Sequence, residues 1–163
     1  MLSCKVLAQC LLAASLQHQV PAEALLAIME VEGGRSGLEV KNSNGTADLG
    51  LCQINTCWLG EASRLWSVTP LQAKTLLRDQ DCLNIAMAAR ILRIKIREGG
   101  GDLRQGIARY HHAHPRYGQP YLKNVLRAWQ RQRRKTLERQ QRKKSFPSLT
   151  AVALNPHKQE KTR

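Results

Sequence analysis

The sequence predicts an α+β fold that is mostly α, with one small β-hairpin and a basic C-terminal tail. Three observations predict it. Apolar residues recur at helical spacing over most of the chain. The stretch NSNGTADLGLCQIN interrupts them with an Asn44–Gly45 turn between short strand-like pieces. From Arg127 onward, 12 Lys/Arg face 2 Asp/Glu, so +10 of the net charge of +14 sits at the C-terminal end. A length of 163 residues suits one domain, drawn at 1–130, plus a tail at 131–163 that is helical at first and then disordered. Aromatics are only 4%, so the core has to be built from Leu, Ile, Val and Ala.

The first helix is expected over about Leu2–Gln17, with Val6, Leu7, Cys10, Leu11 and Ala14 on one face. The apolar run is short, is broken by Gln9 and follows a nearly uncharged start, so it fits an amphipathic helix better than a signal peptide. No stretch reaches the length of a membrane-spanning helix. Pro21 is expected at the first position of a second helix, with Glu23 in its first turn. PAEALLAIMEVE puts Leu25, Ile28, Met29 and Glu32 on adjoining turns, and Gly33–Gly34 ends the helix. Glu32 then faces the negative end of the helix dipole and apolar neighbours, both of which raise a carboxyl pKa. Glu30 points about 200° away and is expected in solvent.

After the hairpin, Thr69-Pro70-Leu71-Gln72 reads as a capping box opening a helix to about Arg78. Asp81 opens another, with Ile85, Ala88, Ala89, Leu92 and Ile96 on one face, stopped at Gly99–Gly101. Asp102 caps a short helix through Tyr110, HHAHPRYGQP reads as a loop, and a last helix starts at Tyr121. Beyond Ser145 the chain is expected to be disordered.

Among titratable groups, Glu32 and Asp48 are the pair with contrasting surroundings. Glycosidic cleavage needs a protonated acid for the leaving oxygen. It also needs a negative group, or a group of the substrate itself, to stabilise the cation-like transition state. Glu32 on a buried helix end suits the first role, and Asp48 on a polar hairpin suits the second. Spacing alone favours the plainer reading of a partly exposed helix-end acid and a turn acid bonding nearby N–H groups. His111, His112 and His114 lack the separated pairs of a structural zinc site, so no metal is expected. Nothing in the chain calls for another cofactor. Trp58 and Trp66 could stack on sugar rings, whereas Trp129 has core-like neighbours. Of the five cysteines none forms a CxxC pair, and the odd count allows two disulfides and a spare thiol, or none.

AIMEVEGG, NSNGTADLGLCQIN, DCLNIAMAARIL and ARYHHAHPRYGQPYLKNV, in this order and spacing, resemble the lysozyme-like lytic transglycosylases of SLT type. They look most like the subgroup serving conjugation and type IV secretion systems. The resemblance spans roughly Cys10 to Trp129, and NGTADLGLCQIN is also similar to the hairpin of animal c-type lysozymes. It implies a lysozyme-like fold and cleavage of the β-1,4 bond between N-acetylmuramic acid and N-acetylglucosamine, leaving a 1,6-anhydro end. It places Glu32 as the proton donor, and Gly50, Leu51 and Gln53 on the Gly-Leu-x-Gln signature. Gln53, Asn55 and Tyr110 would line the glycan groove. Asp48 would be either a second catalytic carboxylate or a brace for the hairpin. Departures are Gly33 where the family has Ser, Cys52 where it has Met, and His111 where it has Asn. Cys10 and Cys82 fall where related secreted enzymes carry a disulfide.

The resemblance implies peptidoglycan as substrate, secretion machinery as partner, and a periplasmic or cell-envelope setting, although no convincing signal peptide opens the chain. The basic tail implies contact with anionic polymer or a membrane surface, with nucleic acid a weaker fit. Two other functions stay open: a lysozyme-like hydrolase using Glu32 and Asp48, and a non-catalytic assembly or nucleic-acid-binding factor acting through the tail.

Overall fold

The computed structural model describes residues 3–145. Seven α-helices and three short strands follow in the order α1 (Cys4–His18), α2 (Ala22–Glu32), β1 (Glu39–Lys41), β2 (Ala47–Leu49), β3 (Ile54–Asn55), α3 (Leu59–Trp66), α4 (Pro70–Asp79), α5 (Asp81–Glu98), α6 (Leu103–His111) and α7 (Pro115–Ser145). A 3₁₀ turn, Thr56–Trp58, leads into α3. The fold is thus mostly α with a small antiparallel sheet, as the lysozyme-like reading anticipates.

Helix α5 is the centre of packing. Its Ile85, Met87, Ala88, Ala89, Ile91, Leu92 and Ile96 are buried, and α1, α4 and α6 lie against it. Helix α2 buries Ala24, Leu25, Ala27 and Ile28 essentially completely. Each fully buried Leu or Ile contributes about 1.5–3 kcal/mol. Gly106 lets α6 approach α5 closely, because a Cβ there would overlap the Ile96 side chain.

The Cys10–Cys82 disulfide implied by the family is present and ties α1 to α5 across 72 residues of sequence. Closing so long a loop stabilises the fold by about 2–4 kcal/mol. Reduction, or Cys10→Ser with Cys82→Ser, is therefore expected to lower the urea midpoint accordingly. Unchanged midpoints with and without reductant would contradict this. Cys4 and Cys57 are exposed thiols and Cys52 is a buried one.

Several boundaries differ from the sequence reading. Pro21 is the N-cap of α2 rather than its first residue, with extended backbone. The expected hairpin is a three-stranded sheet in the order β1-β2-β3, because positive φ at Gly50 (68°) and Gln53 (49°) turns the chain back. Ile54–Asn55 can then pair with Asp48–Leu49. Two residues carry too little alternation to read as a strand. Helix α3 was not anticipated; Gly60 and two charged residues dilute its apolar face, of which Ala62 is the buried member.

The expected loop HHAHPRYGQP is mostly helix, since α7 begins at Pro115. Proline suits a first helical position, and the His114 ring nitrogen accepts the Arg116 N–H at 3.2 Å. Pro120 removes one N–H in the second turn, and the helix continues past it. Gly118 sits where a Cβ would lie 2.7 Å from the Ala108 carbonyl oxygen.

One compact unit ends at Gln130 and a second begins at Arg131. In the first, α7 buries Tyr121, Leu122, Val125 and Ala128. In the second, residues 133–145 are exposed and helical, with a solvent-facing Arg134–Glu138 pair at 3.8 Å. The disorder expected beyond Ser145 lies outside the described residues. Among the described residues no helix is long and apolar enough to cross a membrane.

Candidate active site

The apolar face of α2 decides where Glu32 lies. Ile28 and Met29 are buried, so the residue one turn on is carried to the edge of the core. Helix α2 stops at Glu32 because Gly33 is left-handed (φ 62°) and its N–H bonds the Met29 carbonyl at 3.1 Å. Gly34 then lies against the turn after β2. A Cβ there would overlap the Gly50 carbonyl oxygen and come within 2.6 Å of that of Leu51. That close approach brings the end of α2 beside the sheet.

Glu32 is half-buried, and its Oε1 accepts a 2.6 Å hydrogen bond from the Tyr121 hydroxyl. Its pKa is raised from 4.5 to about 7. Burial is the main cause, the Tyr121 bond opposes it, and the charge of Asp48 adds to it. The tyrosine itself is pushed up by burial and by the neighbouring glutamate, so it stays a hydroxyl donor. His111 stacks on its ring at 4.7 Å, in near-parallel planes.

Asp48, on β2, is held by amides on both oxygens. Oδ1 accepts from Asn55 Nδ2 at 2.7 Å and Oδ2 from Asn42 Nδ2 at 3.0 Å. Both amides also bond the Thr46 hydroxyl, at 2.9 and 3.1 Å. Asn55 closes the set by accepting the Cys57 N–H at 3.0 Å. The carboxylate is the node that joins the β1–β2 loop to β3.

An open cleft of about 570 Å³ runs past these groups. Glu32, Asp48, Gln53, Asn55 and Tyr110 all line it. Gly50 and Leu51 do not. Gly50 is buried, where a Cβ would overlap the Leu77 carbonyl and lie 2.6 Å from Asn84 Nδ2, and Leu51 packs against the core. Their contribution is to shape the turn that presents Gln53, whose Nε2 bonds the Gly50 carbonyl at 2.8 Å. Among the described residues the buried Tyr110 hydroxyl has no partner, so it is a ready donor or acceptor for a ligand.

Trp58 lines the cleft with Lys95 5.6 Å over its ring, whereas Trp129 packs against the core. Of the histidines, His111 and His112 line the cleft, and the His112 ring nitrogen accepts the His114 N–H at 2.9 Å.

Two residues here escaped sequence reasoning. Tyr121 begins an apolar stripe with Leu122 and Val125, so it looks like core, and only its distant partner Glu32 distinguishes it. Asn84 is fully buried on α5. It accepts the Cys52 N–H at 2.7 Å and donates to the Leu49 and Leu77 carbonyls at 2.8 and 2.7 Å. A polar residue within an apolar helical face was the available signal.

Tyr121→Phe removes a bond that favours the charged form of Glu32. The pKa of Glu32 is therefore expected to rise further, and the alkaline limb of the activity profile to move to higher pH. A limb that stays in place, or moves down, would contradict the assignment.

An acid that is half-protonated near neutrality, at an open cleft walled by amides and hydroxyls, places this helical fold among the lysozyme-like glycan-cleaving enzymes. The chain belongs to the transglycosylase SLT domain family, whose family model matches residues 9–137. Members are lytic transglycosylases that cleave glycosidic bonds of peptidoglycan, and this chain is such an enzyme. Comparison with the curated proteins found no match.

Proposed function

We propose that the chain cleaves the β-1,4 MurNAc–GlcNAc bond by proton transfer through Glu32 and leaves 1,6-anhydro-muramic ends. The observation that carries this reading is the Glu32 carboxyl at the cleft, held by Tyr121 and with a pKa raised to about 7. Glu32 gives its proton to the glycosidic oxygen as the bond from that oxygen to C1 breaks. The carboxylate so formed takes the proton of the muramoyl C6 hydroxyl, whose oxygen bonds to C1. Glu32 ends protonated as it began, and no water is consumed. Gln53 and Tyr110 contact the glycan, and Asn55 acts mainly by holding Asp48. Mass spectrometry of digested peptidoglycan tests the reaction: anhydro ends are expected, and reducing ends would assign a hydrolase instead.

The hydrolase reading has one observation in its favour, since Asp48 is close enough to raise the pKa of Glu32. Against it, both Asp48 oxygens already accept amide hydrogens. As a brace, Asp48→Asn is expected to destabilise the protein by about 1.5–3 kcal/mol, the scale of hydrogen bonds to a charged group. Turnover at a temperature where the variant stays folded should fall only modestly. A loss as large as that of Glu32→Gln in a folded Asp48→Asn would restore the two-carboxylate mechanism.

The setting we infer is the cell envelope, where peptidoglycan lies, with the enzyme opening the wall for a conjugation or type IV secretion apparatus. The order of the four motifs supports this, and the basic tail would contact anionic polymer, membrane or the machinery. Deletion of the chain should reduce transfer through such an apparatus, and Glu32→Gln should fail to restore it. Restoration by that variant would favour a non-catalytic assembly role.

A further inference from the structure

We propose that the concavity between the end of α1 and the outer face of α5 binds a phosphate group. It holds about 260 Å³ and is lined by His18 and Gln19 from α1 and its cap, and by Arg90, Arg93 and Arg97 from α5. The three arginines share one face of α5, at relative positions 0, 3 and 7. The cleft-lining Ile91 and Lys95 project from another face, roughly 150° around the helix at 100° per residue. The concavity is therefore separate from the candidate active site and does not depend on the proposed reaction.

Charge is the reason to expect a ligand. Arg90 is paired with Glu61, which accepts from its Nε at 2.9 Å and from its Nη2, and also from Arg64 Nη2 at 2.8 Å. Among the described residues Arg93 bonds the neutral Gln19 Oε1, at 3.2 Å, and neither Arg93 nor Arg97 has a carboxylate partner. The nearby Glu98 pairs with Lys95 at 2.9 Å. Two uncompensated guanidinium groups one turn apart repel each other in the free protein. Guanidinium forks match the oxygens of phosphate in pairs, and a dianionic tetrahedral group balances two such charges. His18 adds an imidazole whose pKa is lowered by burial and by Arg90, and whose ring carries an N–H to donate.

The cradle is also preformed. The Cys10–Cys82 disulfide fixes α1 on α5. Gln19 takes a left-handed backbone (φ 52°) that is uncommon for a residue with a side chain, and from there its amide meets Arg93.

Titration of the full-length protein with inorganic phosphate at constant ionic strength, followed by calorimetry and thermal shift, tests the site. Wild type is expected to bind phosphate and to gain thermal stability over a chloride control. Arg93→Gln with Arg97→Gln should weaken binding at least tenfold. Arg93→Lys with Arg97→Lys, which keeps charge but loses the forks, should fall between. Arg139→Gln with Arg142→Gln removes the same charge from the exposed helical tail and should leave binding intact. Equal loss in this control, or no stabilisation beyond chloride, would overturn the proposal. Where binding is found, glycerol 3-phosphate and phosphatidic acid vesicles, both phosphomonoesters able to carry two charges and each compared across the same variants, separate a soluble phosphate from a lipid headgroup.

Discussion

Glu32→Gln is expected to lower turnover of peptidoglycan by about 10²–10⁴-fold, the range of general-acid contributions. The variant should remain folded, because a glutamine can still accept the hydrogen of the Tyr121 hydroxyl. Its stability should depend on pH in a definite sense. The folded pKa of Glu32 lies near 7, above its ordinary 4.5, so the folded protein holds this proton more tightly than the unfolded chain does. Below the unfolded pKa both states are protonated and the group costs nothing. As pH rises from about 4.5 to 7 the wild type loses stability, by up to about 3 kcal/mol at 1.36 kcal/mol per unit. Glu32→Gln does not pay this penalty. It should match the wild type near pH 4 and be more stable at pH 8, as thermal melts would show. The activity of the wild type should decline through pH 7 as the donor proton is lost. Full cleavage by the variant, or activity flat into alkaline pH, would remove Glu32 from the mechanism.

Asn84→Leu is expected to cost about 3–5 kcal/mol in stability, the second largest effect. Leucine keeps the branching of asparagine but its methyls are bulkier than the amide, so crowding at this fully buried site adds to the lost hydrogen bonds. The substitution strands the Cys52 N–H and the Leu49 and Leu77 carbonyls, all of which Asn84 serves from the buried side of α5. Leaving a buried polar group without a partner costs about 1–3 kcal/mol. Most domains are stable by only about 5–15 kcal/mol, so the urea midpoint should fall steeply. The turn that Asn84 holds carries Gln53 into the cleft, so the folded fraction should also bind glycan more weakly. A midpoint within experimental error of the wild type would show that these groups find other partners.

The cleft was legible in parts. Glu32 could be placed because α2 is amphipathic and Gly33 ends it, both local facts. Asp48 could be singled out as an acid beside a turn, but its duties could not. They depend on Asn42, brought beside it by the turn at Gly45, and on Asn55, which meets it only because the chain turns back at Gly50 and Gln53. Gly50 and Leu51 belong to the same signature as Gln53 and lie behind the cleft wall, since left-handed turns there direct one side chain outward and bury its neighbours. The third strand and α3 were missed for the opposite reason: each is too short, or too diluted by Gly and charge, to carry a period.

By itself the sequence determined the helices with strong apolar faces, the capping residues that begin and end them, the acid at the end of α2, and the SLT family likeness. These follow from residue type and spacing over a few turns. Only the tertiary structure decided that Tyr121, 89 positions away, donates to Glu32, that Asn84 clamps the turn after β2, and that Arg93 and Arg97 share a concavity with the end of α1. The physical reason is range. Helix formation is set by neighbours three or four residues apart. Hydrogen bonding, burial and charge at a site depend on which distant surfaces the packed core brings within about 3 Å.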